Sequence, residues 1–550
     1  MTLKPASWGI IILIILSFLV RVWRLDNLSL FGDEIDVGYQ AYSLSQTGCD
    51  YKGNFLPFYI QSLAESRAPF LIYTVVPFVS LFGLNQVGVR LAPVLFGVLS
   101  IYLIYKLVLL LSKSQPLSLI SATVLSLMPW HFHYSRAAFE VTLLISLILA
   151  GTYFFYLFVR YLKNKFLYLS IIFFGLSFYT YNTANIFVPL LVIFLIFTNF
   201  KTIKTKLKPT LFLTASGLTL LFILPLIKEI LYGQAATRFS SLSVINNPQI
   251  IDQIVIKRTT FSAANPQLES VFHNKPQKYL AEISRNYIKS FSLDFLFLTG
   301  DTLNVRHSIP GFGQIFIVFL PFLIFGFFGL DFKNSLNNLM LFWLLLSPLP
   351  SSLTTNGGTH ATRLFLMVIP LAYFIALGIV KLFQSKISPV LYLPLTAILI
   401  FQIAAFAHEY FVHYPKDSFE NWNYGYQQIF ENIPKDFNHL YISNAKYNSL
   451  LPYLFYQKYP PQKFINDQVV DNGPQFNLNH QITFINDWSS PDHLNDIKTN
   501  AQSQNVFVLF QGKDIPGDMD LSQQPVSGFT TVKTVYNPNH TILAQIIQKI

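Results

Sequence analysis

The chain contains a long series of apolar runs, each close to the length that crosses a lipid bilayer as a helix. Roughly 20 consecutive apolar residues span the hydrocarbon core. Of the 550 residues, 52% are hydrophobic, 16% are aromatic and only 12% are charged. A soluble domain of this length would expose too much apolar surface to stay in solution. The sequence therefore predicts an all-α multi-pass membrane protein, followed by a polar C-terminal region.

We assign about eleven spans by length and composition. They lie near residues 8–20, 88–111, 117–130, 138–159, 166–180, 185–200, 209–228, 312–330, 336–350, 361–380 and 388–407. The first is interpreted as a retained span, because no small-residue cleavage site precedes Arg21 and Arg24. Residues 70–82 are apolar but short and interrupted by proline, which predicts a helix in the membrane interface.

The positive charges are distributed along the chain in a way that predicts its topology. The formal net charge is +11, and lysines and arginines collect in alternate connections such as 160–165 and 201–208. Such connections stay on the cytoplasmic side, so we expect a cytoplasmic N-terminus and an outer C-terminal region, in the plasma membrane if the chain is prokaryotic. Membrane lipids are sufficient partners for these charges. No basic face with interleaved aromatics is evident, which predicts no nucleic-acid binding.

The composition changes near residue 407 and divides the chain into two predicted domains. Residues 1–407 form the transmembrane domain, with a long first outer loop at 21–87 and a large outer loop at 229–311. Residues 408–550 contain short β-forming runs at 439–443, 481–485, 505–510 and 530–535, with a helical stretch at 446–457. We expect an extracytoplasmic α/β domain that acts as a lid or docking module, because no nucleophile elbow, phosphate loop or metal-ligand spacing occurs in it.

An acidic cluster, FGDEID at residues 31–36, follows the first span. Three acids within four positions are unusual in a chain with so few charges, and ionisable groups beside spans often mark functional sites. A structural interpretation also stays open, because Asp33 and Glu34 suit the positive end of a helix over 35–46. We expect Asp36 to face solvent.

Several short motifs resemble a known family of membrane enzymes. They occur in a fixed order relative to the spans: Gly32-Asp33-Glu34, Arg67-Ala68-Pro69-Phe70-Leu71-Ile72-Tyr73, Leu81-Phe82-Gly83, Val89-Arg90-Leu91, Pro129-Trp130-His131, Ser135-Arg136, Glu140 and His360-Ala361-Thr362-Arg363. Over residues 10–405 this order is similar to that of glycosyltransferase family 39, which includes the protein O-mannosyltransferases and the lipid A aminoarabinose transferases. The resemblance implies a GT-C fold. It also implies transfer of a sugar, with inversion, from a polyprenyl-phosphate donor to a glycan, lipid or protein acceptor outside the membrane.

The resemblance further implies roles for three acids. Asp33 matches the catalytic aspartate of the family and is expected to act as the general base. Glu34 is assigned to the same catalytic site. Glu140 is assigned a second acidic role, as a positioner of the acceptor or a metal ligand.

Departure of the phosphate requires cations that stabilise its growing negative charge. The residues expected to contact it are Arg67, Arg136, His360 and Arg363, and arginine suits phosphate because its planar fork binds two oxygens at once. Arg67 stands where many relatives have His or Lys before Pro-Pro, so the loop geometry there is expected to differ. Arg90 is a further cation candidate for the phosphate. Simpler interpretations remain: the spacing of Arg136 and Glu140 predicts an intrahelical salt bridge, and Arg90 at the start of a span is expected to reach the head groups.

Two tyrosines, Tyr181 and Tyr39, are assigned to sugar or acceptor contacts, although tyrosine at a span end is also a common interface anchor. His131 and His133 are poorly spaced for two metal ligands on one helix and are interpreted as interfacial polar residues. A divalent cation held by paired acids stays open beside metal-free base catalysis. The single cysteine excludes an intramolecular disulfide.

Two other functions remain as alternatives. A transporter or flippase of lipid-linked saccharides would also have many spans, but it would be expected to carry ionisable residues near the bilayer midplane and interrupted or repeated helices. The charges of this chain gather at the outer ends of spans instead, which favours an enzyme. A polysaccharide ligase would share the donor chemistry and differ chiefly in its acceptor.

Overall fold

The computed structural model describes residues 5–63, 66–205, 208–232, 242–260, 270–384, 392–444, 448–467, 469–471, 475–486 and 493–550. The chain divides into two compact units, each built from segments that are separated in sequence. The first unit comprises Met1–Trp23, Phe58–Leu71 and Ala92–Tyr410, and the second comprises Arg24–Pro57, Ile72–Leu91 and Phe411–Ile550. The predicted outer loop at 21–87 therefore contributes to both units.

Most of the described residues before 409 are helical, as their apolar runs predict. The helices up to residue 232 are α1 (Pro5–Val22), α2 (Gly32–Thr47), α3 (Phe70–Phe82), α4 (Gln86–Ser112), α5 (Gln115–Leu127), α6 (Pro129–Tyr134), α7 (Glu140–Tyr161), α8 (Asn164–Ser177), α9 (Ala184–Thr198), α10 (Phe200–Lys204) and α11 (Pro209–Tyr232). A short antiparallel pair, β1 (Ile60–Gln61) and β2 (Ser66–Arg67), precedes α3. The helix predicted at 70–82 is confirmed; its place at the membrane interface stays a prediction.

The large outer loop predicted at 229–311 contains regular structure in its described parts. Further along the chain the helices are α12 (Pro248–Thr260), α13 (Lys275–Lys289), α14 (Leu320–Phe328), α15 (Ser335–Leu346), α16 (Leu349–Ser352), α17 (Ala361–Leu364), α18 (Val368–Gln384) and α19 (Tyr392–His408). A π-helical turn at Asp294–Leu298 and a 3₁₀ turn at Val305–His307 lie between α13 and α14. Asp301 lies between these two turns, and His307 ends the second.

Among the described residues, five helical segments are long and apolar enough to cross a membrane, by length and composition. They are Gln86–Ser112, Glu140–Tyr161, Pro209–Tyr232, Ala361–Gln384 and Leu393–Asp417. Shorter apolar helices of 10–17 residues occur at Trp8–Val22, Phe70–Phe82, Gln115–Leu127, Asn164–Ser177, Ala184–Thr198 and Ile317–Phe328. The segments support an integral membrane protein, but the predicted count of about eleven spans is not confirmed, because a helix needs roughly 17–25 residues to cross the core alone.

The second unit contains a seven-stranded mixed sheet. Its strands are β3 (Leu440–Ser443), β4 (Val469–Asp471), β5 (Gln475–Leu478), β6 (Ile482–Ile485), β7 (Val506–Phe510), β8 (Phe529–Tyr536) and β9 (Ile542–Lys549), in the spatial order β4-β5-β6-β3-β7-β9-β8. β3 is parallel to β6 and β7, and the other pairs are antiparallel. The four predicted runs are confirmed as β3, β6, β7 and β8, whereas β4, β5 and β9 were not predicted.

Short helices complete the second unit. They are α20 (Tyr414–Asp417), α21 (Tyr426–Glu431), α22 (Leu450–Tyr456), α23 (Pro461–Asn466) and α24 (His493–Asn500). α2 belongs to this unit as well, and it packs against α22 at Gly38, where a Cβ would overlap the ring of Phe455 and the side chain of Val89. This glycine lets α2 approach its neighbours closely, which fixes the position of the acidic cluster at its start.

Two glycines bring α14 and α18 together in the first unit. A Cβ at Gly378 would overlap the carbonyl oxygen of Phe322, and a Cβ at Gly326 would overlap that of Phe374. Small residues allow this close approach of two apolar helices, whose association depends on van der Waals packing where lipid replaces water. Each glycine therefore faces the backbone of the other helix.

We expect Gly378→Ala to lower the free energy of unfolding by about 1–3 kcal/mol, because the added methyl group must push the helices apart. The matched control is Gly217→Ala in α11, where a Cβ would meet no described atom within 4 Å. Since alanine favours helix, the control should be neutral or stabilising by up to about 1 kcal/mol. Thermal unfolding in detergent measures both, and an equal loss in the two variants would contradict the packing explanation.

Candidate active site

The acidic cluster occupies the first turn of α2. The helix begins at Gly32, after Phe31 in an extended conformation, so Asp33 and Glu34 both lie in the first turn. Negative side chains at this end are favoured by the helix dipole. The three acids nevertheless have different environments: Asp33 is exposed, whereas Glu34 is 0% and Asp36 is 1% exposed.

Glu34 forms a buried ion pair with Arg90 of α4. Arg90 donates from Nη2 to Glu34 Oε2 at 2.6 Å and from Nε to Oε1 at 2.8 Å. The same guanidinium donates to the carbonyls of Leu25, Leu28 and Ser29 at 2.7–2.9 Å. Arg90 is only 1% exposed. The expectation that it reaches toward the head groups is therefore wrong: it joins α2, α4 and the turn after α1.

Asp36 also has a structural environment. It accepts a hydrogen bond of 3.0 Å from the Tyr51 hydroxyl, and its burial contradicts the expectation that it faces solvent. Tyr39, assigned to sugar or acceptor contacts, is 0% exposed and donates to the Tyr459 carbonyl at 2.9 Å. Burial, with the neighbouring Tyr42, Tyr459 and Asp467, raises the pKa of the Tyr39 hydroxyl. The geometry places Tyr39 in the packing of the second unit, and we do not propose a sugar contact for it.

Arg67 and Glu140 come together in the first unit. Arg67 ends β2 and Glu140 begins α7, and their Nη1 and Oε1 atoms are 4.0 Å apart. Both are partly accessible, with side chains 10% and 24% exposed. The predicted intrahelical pair of Arg136 and Glu140 is wrong, because the chain leaves helical geometry between the end of α6 at Tyr134 and the start of α7.

Arg136 binds the end of α1. Its Nη1 donates to the carbonyls of Val20, Arg21 and Trp23 at 2.5–3.0 Å, and Nε donates to the Tyr410 hydroxyl at 3.3 Å. The last carbonyls of a helix lack intrahelical donors, so Arg136 acts as a helix cap.

His131 and His133 each have partners on both ring nitrogens. His131 contacts Arg21 and Ser100, and His133 contacts the Tyr410 hydroxyl and the Arg306 carbonyl. Both are fully or almost fully buried. These contacts fit polar residues of the protein interior, and neither histidine belongs to the group of possible metal ligands found among the described residues.

Three residues from two segments of the first unit form a compact polar cluster: Asp301 and His307 from the outer loop, and His360 from the start of α17. Asp301 Oδ2 lies 2.9 Å from His307 Nδ1, and it accepts from the Ala361 amide at 3.1 Å. The rings of His307 and His360 have centroids 5.0 Å apart. One ligand atom from each of the three residues lies within 4.8 Å of the others.

The surroundings of the cluster lower the pKa values of Asp301 and His360. Burial raises the pKa of the Asp301 carboxyl, but the hydrogen bond and charge of His307 outweigh it and hold that pKa below its usual value. Burial, together with Arg363 and His307, lowers the pKa of His360 to about 3. In the unfolded chain this imidazole is protonated below about pH 6.5, whereas in the folded chain it stays neutral down to about pH 3. His360 therefore reduces the free energy of unfolding as the pH falls from about 6.5 toward 3. At neutral pH its imidazole is uncharged.

An aromatic cluster lies between Glu140 and these histidines. Tyr134 stacks on Phe139 at 4.4 Å and on Phe365 at 4.9 Å, and its hydroxyl lies 2.9 Å from Thr362 Oγ1. Phe139, directly before Glu140, contacts the His307 ring edge-to-face at 5.8 Å. The start of α7 and the start of α17 are thereby held together.

The other predicted residues take separate positions. Arg363 is half-buried, and its Nη1 donates to Thr354 Oγ1 at 2.6 Å and to the Thr355 carbonyl at 3.3 Å. Tyr181 is half-buried in the connection between α8 and α9.

Sequence reasoning missed Asp301 and His307, because they lie in a stretch without the hydrophobic periodicity that marks a helix or a strand. A signal was present nonetheless: an acid and a histidine six residues apart follow Gly300 in the outer loop.

We expect Glu34→Gln to lower the free energy of unfolding by about 3 kcal/mol, because it leaves the buried Arg90 without a charged partner. Asp33→Asn, one residue earlier and exposed, should change it by no more than about 0.5 kcal/mol. Chemical or thermal unfolding of both variants in detergent checks this. A stable Glu34→Gln protein would show that the ion pair is not what holds this helix start in place.

Comparison with known proteins gives matches at two levels. Residues 66–228 match the sequence profile of the family described as dolichyl-phosphate-mannose-protein mannosyltransferase. Among curated protein sequences, none matches the chain.

Solved structures from Cupriavidus metallidurans and Archaeoglobus fulgidus are among those similar to this chain. ArnT from Cupriavidus metallidurans, bound to undecaprenyl phosphate, is 13% identical with a TM-score of 0.46; the match covers 100% of this chain and 99% of that one. The archaeal oligosaccharyltransferase AglB from Archaeoglobus fulgidus, in complex with an inhibitory peptide and a dolichol-phosphate, is 13% identical with a TM-score of 0.47. That match covers 82% of this chain and 63% of AglB.

The matched segment contains Arg67, Arg90, Arg136 and Glu140, four of the residues that carried the resemblance. The resemblance to glycosyltransferase family 39 is thereby confirmed, through the dolichyl-phosphate-mannose-protein mannosyltransferase profile over residues 66–228.

Proposed function

We propose that this protein is a membrane glycosyltransferase that moves a sugar from a polyprenyl-phosphate donor to an acceptor hydroxyl, with Asp33 as the general base. The family matched by residues 66–228 supports the transferase class and a donor of this chemistry, since dolichyl phosphate is a polyprenyl-type phosphate. The assignment of Asp33 is carried by one observation. Of the three clustered acids, Glu34 and Asp36 are buried, and only Asp33 is exposed.

The proposed reaction needs a base and a stabilised leaving group. Asp33 takes the proton of the acceptor hydroxyl, whose oxygen forms a bond to the anomeric carbon. The bond from that carbon to the phosphate oxygen breaks, and its electron pair remains on the phosphate. The phosphate thereby gains negative charge, which cationic side chains stabilise.

Arg67 and Arg363 are the proposed phosphate ligands. Both side chains are partly accessible. The Arg67 guanidinium lies beside the Glu140 carboxylate, and the Arg363 guanidinium donates to the Thr354 hydroxyl. Such contacts orient a planar guanidinium, which can then bind two phosphate oxygens. Arg136 ranks behind them, because its guanidinium already donates to three helix-end carbonyls. Glu140 is proposed to orient Arg67, and Tyr181 to contact sugar or acceptor.

We expect Asp33→Asn to reduce transfer by about 10²–10⁴-fold, the usual contribution of a positioned base, without loss of folding. The assay incubates purified protein with a panel of radiolabelled polyprenyl-phosphate sugars and membrane extract. Asp26→Asn is the matched control, because Asp26 is an exposed acid in the same loop. Transfer by Asp33→Asn at the wild-type rate would remove Asp33 from the base role. A wild-type protein that consumes no donor in the panel would favour the transporter alternative.

We also propose that Asp301, His307 and His360 hold a divalent cation. Two imidazoles and one carboxylate are a ligand set that zinc and related metals accept, and an open coordination position is usual in catalytic sites. Among the described residues, none is a hydrogen-bond partner of the buried His360 Nδ1. The low pKa of His360 keeps the imidazole neutral and able to coordinate. When bound, such a cation supplies positive charge that favours phosphate.

We expect zinc or manganese to stabilise chelator-treated protein, by about 2.7 kcal/mol when the free metal is 100 times the Kd. His307→Gln and His360→Gln should abolish this gain, whereas His273→Gln, a histidine of the same outer loop, should retain it. Thermal unfolding with and without added metal measures the effect. An equal metal response in all three variants would place the cation elsewhere.

A further inference from the structure

A cavity in the second unit lies where two chain segments leave apolar helices. Its volume is about 560 Å³, and it is lined by residues of the segments 24–29 and 411–424 and by the tip of the β8–β9 hairpin. The first segment begins two residues after α1, and the second covers the last turns of the apolar helical segment Leu393–Asp417 and the residues that follow it. Asn27 Nδ2 donates to the Phe411 carbonyl at 3.2 Å, which joins the two walls.

The cavity has one sign of charge. Arg24, Lys416 and His540 line it, and all three are exposed. Its lining, which consists entirely of described residues, includes no aspartate or glutamate. A concave site with cations of this kind attracts an anion, and low-dielectric walls strengthen that attraction.

The backbone places two of these residues at a conformational cost. Arg24 has φ = 49° and His540 has φ = 63°, both in the left-handed region that side chains other than glycine adopt rarely. His540 is fixed there by the hairpin, where its amide donates to the Asn537 carbonyl at 3.0 Å. Residues in such conformations persist where the surrounding structure holds them, and they are enriched at ligand sites.

Phe419, Trp422 and Tyr424 form an aromatic wall of the cavity. Trp422 is 1% exposed, its Nε1 donates to the Tyr414 hydroxyl at 3.0 Å, and its ring lies edge-to-face with Phe31 at 5.4 Å. Cations beside aromatic rings can bind an amphiphilic ligand that has a charged head group and an apolar stem.

The position of the cavity relative to the membrane follows from the helices beside it. Because apolar helices end at the membrane surface, chain segments that leave them lie at the level of the head groups.

We propose that this cavity binds the phosphate of an anionic membrane phospholipid. Arg24 and Lys416 contact the phosphate, as Lys and Arg clusters next to spans do with acidic lipids. The aromatic wall contacts the glycerol and ester region. Asp33 does not line the cavity, and the proposal does not depend on the proposed transfer chemistry.

The test titrates delipidated full-length protein in neutral detergent with phosphatidylglycerol and, in parallel, with phosphatidylcholine, and bound lipid is counted by native mass spectrometry. We expect Arg24→Gln and Lys416→Gln each to weaken phosphatidylglycerol binding about fivefold, and the double variant about 25-fold, from the usual contribution of one cation near an acidic lipid. Lys513→Gln, an exposed lysine in the turn after β7, is the matched control and should bind like the wild type. Since the altered side chains are exposed, thermal unfolding should be unchanged.

The other results would overturn the proposal. Equal binding of phosphatidylcholine would show that the cavity does not select an anion. Displacement of phosphatidylglycerol by inorganic phosphate or glycerol phosphate at similar concentration would identify a soluble phosphate as the ligand instead of a lipid. Undiminished phosphatidylglycerol binding in the double variant would place the lipid elsewhere on the protein.

Discussion

Arginine side chains satisfy backbone carbonyl groups at and after the end of α1, and the packing within each unit depends on this interaction. The last turn of a helix has carbonyls without intrahelical donors, and an apolar surrounding offers no water to replace them. In the first unit Arg136 donates to three carbonyls at the end of α1. In the second unit Arg90 donates to three carbonyls of the turn after α1 and also forms an ion pair with Glu34. A guanidinium can do this because it has five donors in one plane and stays charged when buried.

The same requirement separates the three clustered acids. Glu34 neutralises the buried Arg90, and Asp36 accepts a hydrogen bond from Tyr51 in the packing of α2. Asp33 lies on the exposed side of the same turn, because successive helical residues point about 100° apart. A short acidic motif can therefore contain one chemically available carboxylate and two that hold it in position.

Patterns local in sequence were predicted well, and contacts between distant segments were not. Helix α3 and strands β3, β6, β7 and β8 follow from apolar runs, but β9 was missed because Gln545 lies in its middle; that side chain is buried and accepts from the Leu521 amide at 2.8 Å. The spacing of Arg136 and Glu140 predicted a helical pair, yet the helix is interrupted between them. Asp301 and His307 have no periodicity that marks them, and only the fold brings them to His360.

The reciprocal glycines of α14 and α18 limit how this part of the sequence can vary. In most packed interfaces a larger side chain on one helix is accommodated by a smaller one opposite. Here each glycine faces backbone carbonyl atoms, which cannot be made smaller by any substitution. A larger side chain at either glycine therefore cannot be compensated by a smaller residue on the facing helix. Homologous chains that replace either glycine must move a whole helix, so the spacing of α14 and α18 should differ between relatives in steps and not gradually.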